Sequence, residues 1–509
     1  MPTTVISRRR LLTLAGGLAG AAALAACGGA ASPTAAPAAT SAPAPTSAPA
    51  ATSAPAATSA PAAATKPAAG ATTAAGAASP AASAATPAAG ATTSAQATTA
   101  PAAAAPAGGK PGQEFQVATR GGMDGEIMEK TLAKFAQETG NKGTHVSYGG
   151  EPEYWAKVQA QHTAKQVADV VWASTGGIYT FANRGILAEL DPLILGDKYN
   201  IEDYVKSGLD SLKLNGKLYG MPWGGHPGNG GILYNVDLLN KAGLNVTEDC
   251  ASFDNVTWDQ LRDAAKKVTQ GDTYGFLPDL SFLSITNIAG SYGGEFLSPD
   301  GKTLTIETPE FKRGLQLLYD MAVTDKSTPT YDPKLNSGEL FATGKVAMVH
   351  TGYWGQFQPG PKAIADKFKW NVGVTPKGPA GKRGSSLTIN GQTIWSGSQK
   401  KDVAWQFVKY LMEPAQNVEI VLSGGGRPAL RNSVLDNDRL MKEMRAHKCF
   451  VPFIKSAEPW KQPANYRWAE FNTTVGQVFV NMLLGKETVD QAIANAKPKF
   501  QAILDKPVA

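Results

Sequence analysis

Histidine and cysteine are scarce in this chain, with five His and three Cys in 509 residues. His145, His162, His226, His350 and His447 are scattered, without the short regular spacing of a metal site, so no metal and no other cofactor is expected. Catalytic signatures are missing too. There is no Gly-x-Ser-x-Gly elbow, His-Glu-x-x-His pair, phosphate loop or Gly-x-Gly-x-x-Gly turn. An enzyme is not expected, although carboxylates that pair only in space, as in glycoside hydrolysis, are invisible to sequence. Lys and Arg form no run in residues 113–509, which argues against nucleic acid as a partner.

Long apolar runs are absent as well. The stretch Leu11 to Leu24 is shorter than the roughly 20 apolar residues of a membrane-spanning helix. It follows Arg8, Arg9 and Arg10 and precedes small residues, the layout of an export signal over residues 1–26. Ser7-Arg8-Arg9-Arg10-Leu11-Leu12 resembles a twin-arginine signal with Leu11 where Phe is usual, and both export routes stay open. Leu24-Ala25-Ala26-Cys27-Gly28 resembles a bacterial lipobox, which implies that Cys27 carries a lipid. From Gly28 to Gly112 the chain has no aromatic or large aliphatic residue, and its only charges are Lys66 and Lys110. Such a segment cannot bury enough apolar surface to offset chain entropy, so residues 27–112 read as a lipidated Cys followed by a disordered linker. As a coil it reaches about 50 Å. Removing the signal's three arginines lowers the formal charge from +6 to +3. With Cys27 lipidated, Cys250 and Cys449 remain, and whether they pair is open.

Residues 113–509 hold what the first quarter lacks. Phe115–Thr119, His145–Tyr148 and Val167–Trp172 read as strands, with helices over Asp124–Gln137 and Tyr154–Lys165 between them and another at Thr180–Arg184. That alternation implies an α/β fold with a mostly parallel sheet. Farther on, Gly231–Asn235, Val346–His350, Trp370–Val374 and Thr393–Trp395 read as strands. Helices fit Pro309–Thr324, Asp402–Met412, Phe471–Leu484 and Thr488–Leu504, and Thr257 is positioned to cap another. About 400 residues suit two lobes better than one core.

Several strings, in order, resemble the extracellular solute-binding proteins of ABC importers, in the sugar-binding group that includes maltose-binding protein. They include Phe135-Ala136-Gln137-Glu138-Thr139-Gly140, Ala168-Asp169-Val170-Val171-Trp172 and Phe181-Ala182-Asn183-Arg184-Gly185-Ile186-Leu187. Gly216 to Pro222, Leu233-Tyr234-Asn235, Gly344 to Met348, Ala404 to Leu411 and Gly425 to Ala429 follow. The resemblance spans essentially all of residues 113–509. It implies two α/β lobes, one of about 113–222 and 382–426 and the other of about 223–381 and 427–509, with a ligand cleft between them and closure about a hinge. It also implies an extracytoplasmic protein, lipid-anchored at the periplasmic or cell surface and monomeric, that hands a sugar to permease subunits.

Sugars offer apolar faces to aromatic rings and hydroxyl rims to polar groups. Trp172 ends a buried strand, where open α/β sheets place ligands, and aligns with a stacking Trp of the family. Ser174 and Gly176 are placed to donate from the helix start that follows; Thr175 stands where maltose-binding protein has a sugar-binding acid, which argues against a maltodextrin. Trp223 and His226 follow the first expected hinge, and Tyr292 sits among glycines that let backbone approach a ligand. Tyr353 and Trp354 align with an aromatic contact position. Arg427 offers a guanidinium fork for hydroxyls or a carboxylate. Arg120, at a strand end, and Trp468, by alignment, complete the expected site. The function expected is therefore capture of a mono- to oligosaccharide. A surface sensor or adhesin, or a binder of a sugar acid, polyamine or peptide on the same fold, is the alternative.

Overall fold

The computed structural model describes residues 111–508 apart from 358–360, 365–366 and 425. The expected signal, Cys27 and nearly all of the expected linker lie outside the described residues. Three parallel strands open the fold: β1 (Glu114–Thr119), β2 (Lys142–Ser147) and β3 (Val170–Ser174), in the order β3-β1-β2. β3 reads Val-Val-Trp-Ala-Ser, with every residue buried, the run expected of a strand covered on both faces. A small hairpin, β4 (Lys213–Leu214) and β5 (Lys217–Leu218), leads into β6 (Met221–His226).

The chain then leaves this sheet to build a second one from β7 (Gly231–Asn235), β8 (Tyr274–Leu277), β9 (Val346–Thr351) and β10 (Trp370–Val374), in the order β10-β7-β9-β8. It returns as β11 (Ser386–Ile394), antiparallel to both β3 and β6, and β12 (Glu458–Pro459) adds alongside β11. The first core is anchored by Phe135 of the helix Met123–Thr139, whose ring lies 5.9 Å from Phe115 of β1 and 5.1 Å from Phe407 of the helix Lys401–Met412. Each such ring, fully buried, contributes about 1.5–3 kcal/mol. The second core gathers around Phe282, Phe296, Phe471 and Phe500.

Local signals explain most element boundaries. Thr257 and Thr488 each form a capping box, with Gln260 and Gln491, at the helices Trp258–Val268 and Val489–Leu504. Two expectations are corrected. The helix expected at Thr180–Arg184 spans Thr175–Asn183, with Gly176 and Gly177 as positions where Trp468 and Trp155 pack against it. The strand expected at Thr393–Trp395 begins at Ser386, its polar Asn390 and Gln392 having masked its alternation.

Sheet membership also departs from the expected lobe limits. β6 stays in the first sheet through His226, four residues past 222. Beyond 426, Arg431 still pairs with Asp203 at 2.8 Å, and Leu430 donates its backbone N–H to Pro222 at 3.3 Å, so this stretch remains with the first sheet. Cys250 and Cys449 form a disulfide across 199 positions. No helix of the described residues is long and apolar enough to cross a membrane.

Candidate functional site

The carboxyl ends of β1 and β3 open into a cavity of about 240 Å³ between the two sheets, where the ends of parallel strands characteristically receive ligands. Trp172, 1% exposed, is held from behind: its ring lies 5.3 Å from those of Tyr154 and Trp155, and the Tyr154 hydroxyl donates to its carbonyl at 2.8 Å. Trp172 lines the cavity, and its buried indole N–H has no hydrogen-bond partner in the protein. The Ser174 hydroxyl, at the N-cap of the helix Thr175–Asn183, is likewise unpartnered, as are Thr388 Oγ1 and Asn390 Nδ2 of β11. All four residues line the same cavity. Leaving a buried donor or acceptor unpaired costs about 1–3 kcal/mol, so four such groups around one cavity make it the candidate site for a polar ligand.

Charge is organised around Asp124. Its carboxylate accepts hydrogen bonds from Arg120 and lies 3.5 Å from Arg427. Burial alone would raise its pKa, but the two guanidinium groups outweigh that and hold it below the usual carboxylate value. The same guanidinium groups sit near aromatic rings, Arg120 at 4.2 Å from the centroid of Trp172 and Arg427 at 5.6 Å from that of Trp354. Asp124 thus fixes two arginines and, through them, the approach to two indoles.

His226 stands edge-on to Trp354 at 4.9 Å, with Nδ1 2.6 Å from the carbonyl of Gly228. Burial, together with the nearby Arg427, lowers its pKa to about 3, so the ring is neutral near pH 7. A neutral ring donating from Nδ1 leaves Nε2 as an acceptor. Asn229, just past the crossing, donates to the carboxylate of Asp279 and to Ser281 Oγ at 2.7 Å and Ser284 Oγ at 2.8 Å, which ties the crossing to the second lobe.

The opposite wall is aromatic. Trp460 and Trp468 lie 4.4 Å apart, and Phe282 supports both, at 5.6 and 5.1 Å. Trp468 presses on the first lobe so closely that a Cβ on Gly176 would stand 2.1 Å from its ring. Nearby, Thr180 Oγ1 donates to the Tyr466 carbonyl at 2.7 Å, and the Tyr179 and Tyr466 rings stack at 6.0 Å.

Of the expected residues, the structure brings together Arg120, Trp172, Ser174, Thr175, His226, Trp354, Arg427 and Trp468 around this cavity. Thr175 lines it but also serves the fold, its hydroxyl accepting the backbone N–H of Ile389 at 2.9 Å. Three others lie apart from it. Trp223 is buried within β6. Tyr353 is fully buried, its hydroxyl 2.8 Å from His447 Nδ1. Tyr292 caps the end of the helix Phe282–Ser291 and packs on the second core. Alignment to a short aromatic string cannot tell which of two neighbouring rings, Tyr353 or Trp354, faces the cleft; the turn after β9 decides it.

Sequence reading missed Asn229, Ser281, Asn390, Trp460 and Asn472, which also line the cavity. Only Trp460 carried a compositional signal; the polar residues are common types whose importance lies in where the chain returns. Among the described residues, the grouping close enough to hold a cation is Asp249 with Cys250 and Cys449, whose sulfurs are joined in the disulfide.

The arrangement suits reversible capture: flat indoles, neutral donors and acceptors, and an arginine pair, contributed from both sides of a cleft. Comparison with known proteins agrees. A Brucella abortus protein named only as a binding protein is 26% identical over 362 residues, covering 69% of this chain and 83% of that one. An arabinooligosaccharide-binding protein of Bacillus subtilis is 30% identical over 143 residues, 28% of this chain and 30% of that one. An ABC substrate-binding protein of Listeria monocytogenes, solved in complex with cycloalternan, superposes with a TM-score of 0.65 at 22% identity, covering 77% of this chain and all of that one. The profile of the bacterial extracellular solute-binding protein family matches residues 130–446. With that span and this two-lobed fold, the chain belongs to the bacterial extracellular solute-binding protein family.

Proposed function

We propose that this protein is the sugar-capturing component of an ABC importer, held outside the cytoplasm by a lipid on Cys27, and that it acts as a monomer without catalysing any reaction on its ligand. The observation that carries the sugar reading is the interlobe cavity, where Trp172, Trp354, Trp460 and Trp468 offer aromatic surface beside unpartnered polar groups. Rings cover the apolar faces of a pyranose or furanose, and the polar groups meet its hydroxyls. The Bacillus subtilis protein named for binding arabinooligosaccharide supports the same class. Residues 1–26 serve as signal and 27–112 as a tether.

A thermal-shift screen of the purified full chain against sugars tests the reading, because a ligand that binds only the folded state adds about 2.7 kcal/mol at a hundred times its Kd. A shift with one sugar class is expected. Silence across sugars, with a shift from amino acids, peptides or polyamines, overturns the ligand class and leaves the family intact. Anchoring has its own test: Cys27→Ser is expected to move the protein from the membrane pellet to the soluble fraction, and retention in the pellet removes the lipid from the account.

A further inference from the structure

The cavity that Trp172 lines does not end at the second lobe. A groove of about 500 Å³ adjoins it, and Ser281, Trp354 and Asn472 line both spaces. By itself the inner cavity, about 240 Å³, is smaller than the ~300–1,000 Å³ of sites that engulf a small ligand. Joined to the groove, it falls within that range.

The groove has a built inner wall. His350 of β9 lines it at 4% exposure, beside the backbone of Asn229. Burial, opposed by the nearby Asp279, brings its pKa down to about 4, so it is a neutral ring with one donor and one acceptor. That combination suits hydroxyl groups, which both give and accept hydrogen bonds. Tyr331, half-buried, adds an aromatic ring, while Asp332 and Ser337 on the same segment are exposed and leave the far end open to solvent.

We propose that the ligand is a linear saccharide of at least two units, with an end unit in the cavity lined by Trp172 and the next unit in the groove against Tyr331 and His350. Trp354, which borders both spaces, lies at the junction. The open far end admits longer chains without a fixed length. The proposal rests on the sugar-binding reading above and adds the ligand's length and direction.

Calorimetric titration of the full chain with glucose, xylose and arabinose, each as monosaccharide and as linear di- and trisaccharide, tests it. In the series that binds, the disaccharide is expected to bind at least tenfold more tightly than the monosaccharide. Tyr331→Ala, and separately Ser337→Trp, which fills the groove from its exposed rim, are expected to erase that gain and leave monosaccharide affinity unchanged. Equal affinity for mono- and disaccharide overturns the second subsite and leaves sugar binding standing. Equal weakening of both sugars in the two variants also overturns it. Binding of none of these sugars overturns the sugar reading and this proposal with it.

Discussion

Trp172 and Trp354 occupy different environments, and the difference governs how each is tested. Trp354 is half-buried at the mouth of the cavity, so Trp354→Ala is expected to weaken ligand binding by about 1–3 kcal/mol, roughly 5- to 150-fold in Kd, with little change in melting temperature. Trp172 is also a core residue, and its removal to Ala would cost stability as well. Trp172→Phe keeps most of the volume and deletes the unpartnered indole N–H; a loss of affinity with a preserved melting temperature is the expected outcome of titrating and melting both variants.

Acidification reads the buried histidines. His226 and His350 have folded pKa values near 3 and 4, below the unfolded value of about 6.5. Below pH 6.5 the unfolded chain takes up protons that the folded chain refuses, so stability is expected to fall as pH drops from 6.5 toward 4, by about 1.4 kcal/mol per pH unit for each histidine. Denaturant titrations at pH 7, 6 and 5 measure this slope. His350→Gln is expected to flatten it, and an unchanged slope would remove His350 as its source. Nothing in the sequence around His350 showed this, because burial depends on β7 and β8, the strands that flank it.

At the level of elements, two adjacent glycines on one helix do different work. A Cβ on Gly177 would meet Trp155 at 2.0 Å, inside the first lobe's own core, while one on Gly176 would meet Trp468 of the second lobe at 2.1 Å. Gly177→Ala is therefore expected to destabilise the ligand-free protein by about 1–3 kcal/mol through overpacking. Gly176→Ala also sets a Cβ against Trp468, but across the cavity rather than within one core, and Ala favours helix by up to about 1 kcal/mol, so its stability loss in the ligand-free protein is expected to be smaller than that of Gly177→Ala. The rest of the Gly176→Ala cost falls on the approach of the lobes, seen as at least a tenfold loss of affinity. Paired melting and titration curves separate the two, and an identical stability loss in both would contradict the assignment. Nothing local in Gly176-Gly177 says why side chains are excluded there; only the positions of two tryptophans, Trp155 and Trp468, show it.

Over the whole molecule, the disulfide between Cys250 and Cys449 closes a loop across 199 positions. Long loops gain most from such a link in the chain-entropy account, so Cys250→Ser with Cys449→Ser, or reduction, is expected to lower stability by about 2–5 kcal/mol in denaturant titration. Ligand affinity is expected to hold, since neither cysteine lines the cavity.

The sequence by itself determined the α/β class and much of the strand and helix placement, because periodicity, caps and buried runs such as Val170–Ser174 are local. It also showed residues 28–112 to hold no aromatic or large aliphatic residue, because composition needs no structure to be read. Its ordered strings pointed to the solute-binding family. The tertiary structure decided which aromatic residues face the cleft, that Trp223, Tyr292 and Tyr353 lie away from it, and that Asn229, Asn390 and Trp460 line it. It also decided the cysteine pairing and how far β6 and residues 427–431 stay with the first sheet. These depend on contacts between segments one to three hundred residues apart, where the chain crosses between the lobes more than once, and no local pattern encodes which side chains such crossings bring together.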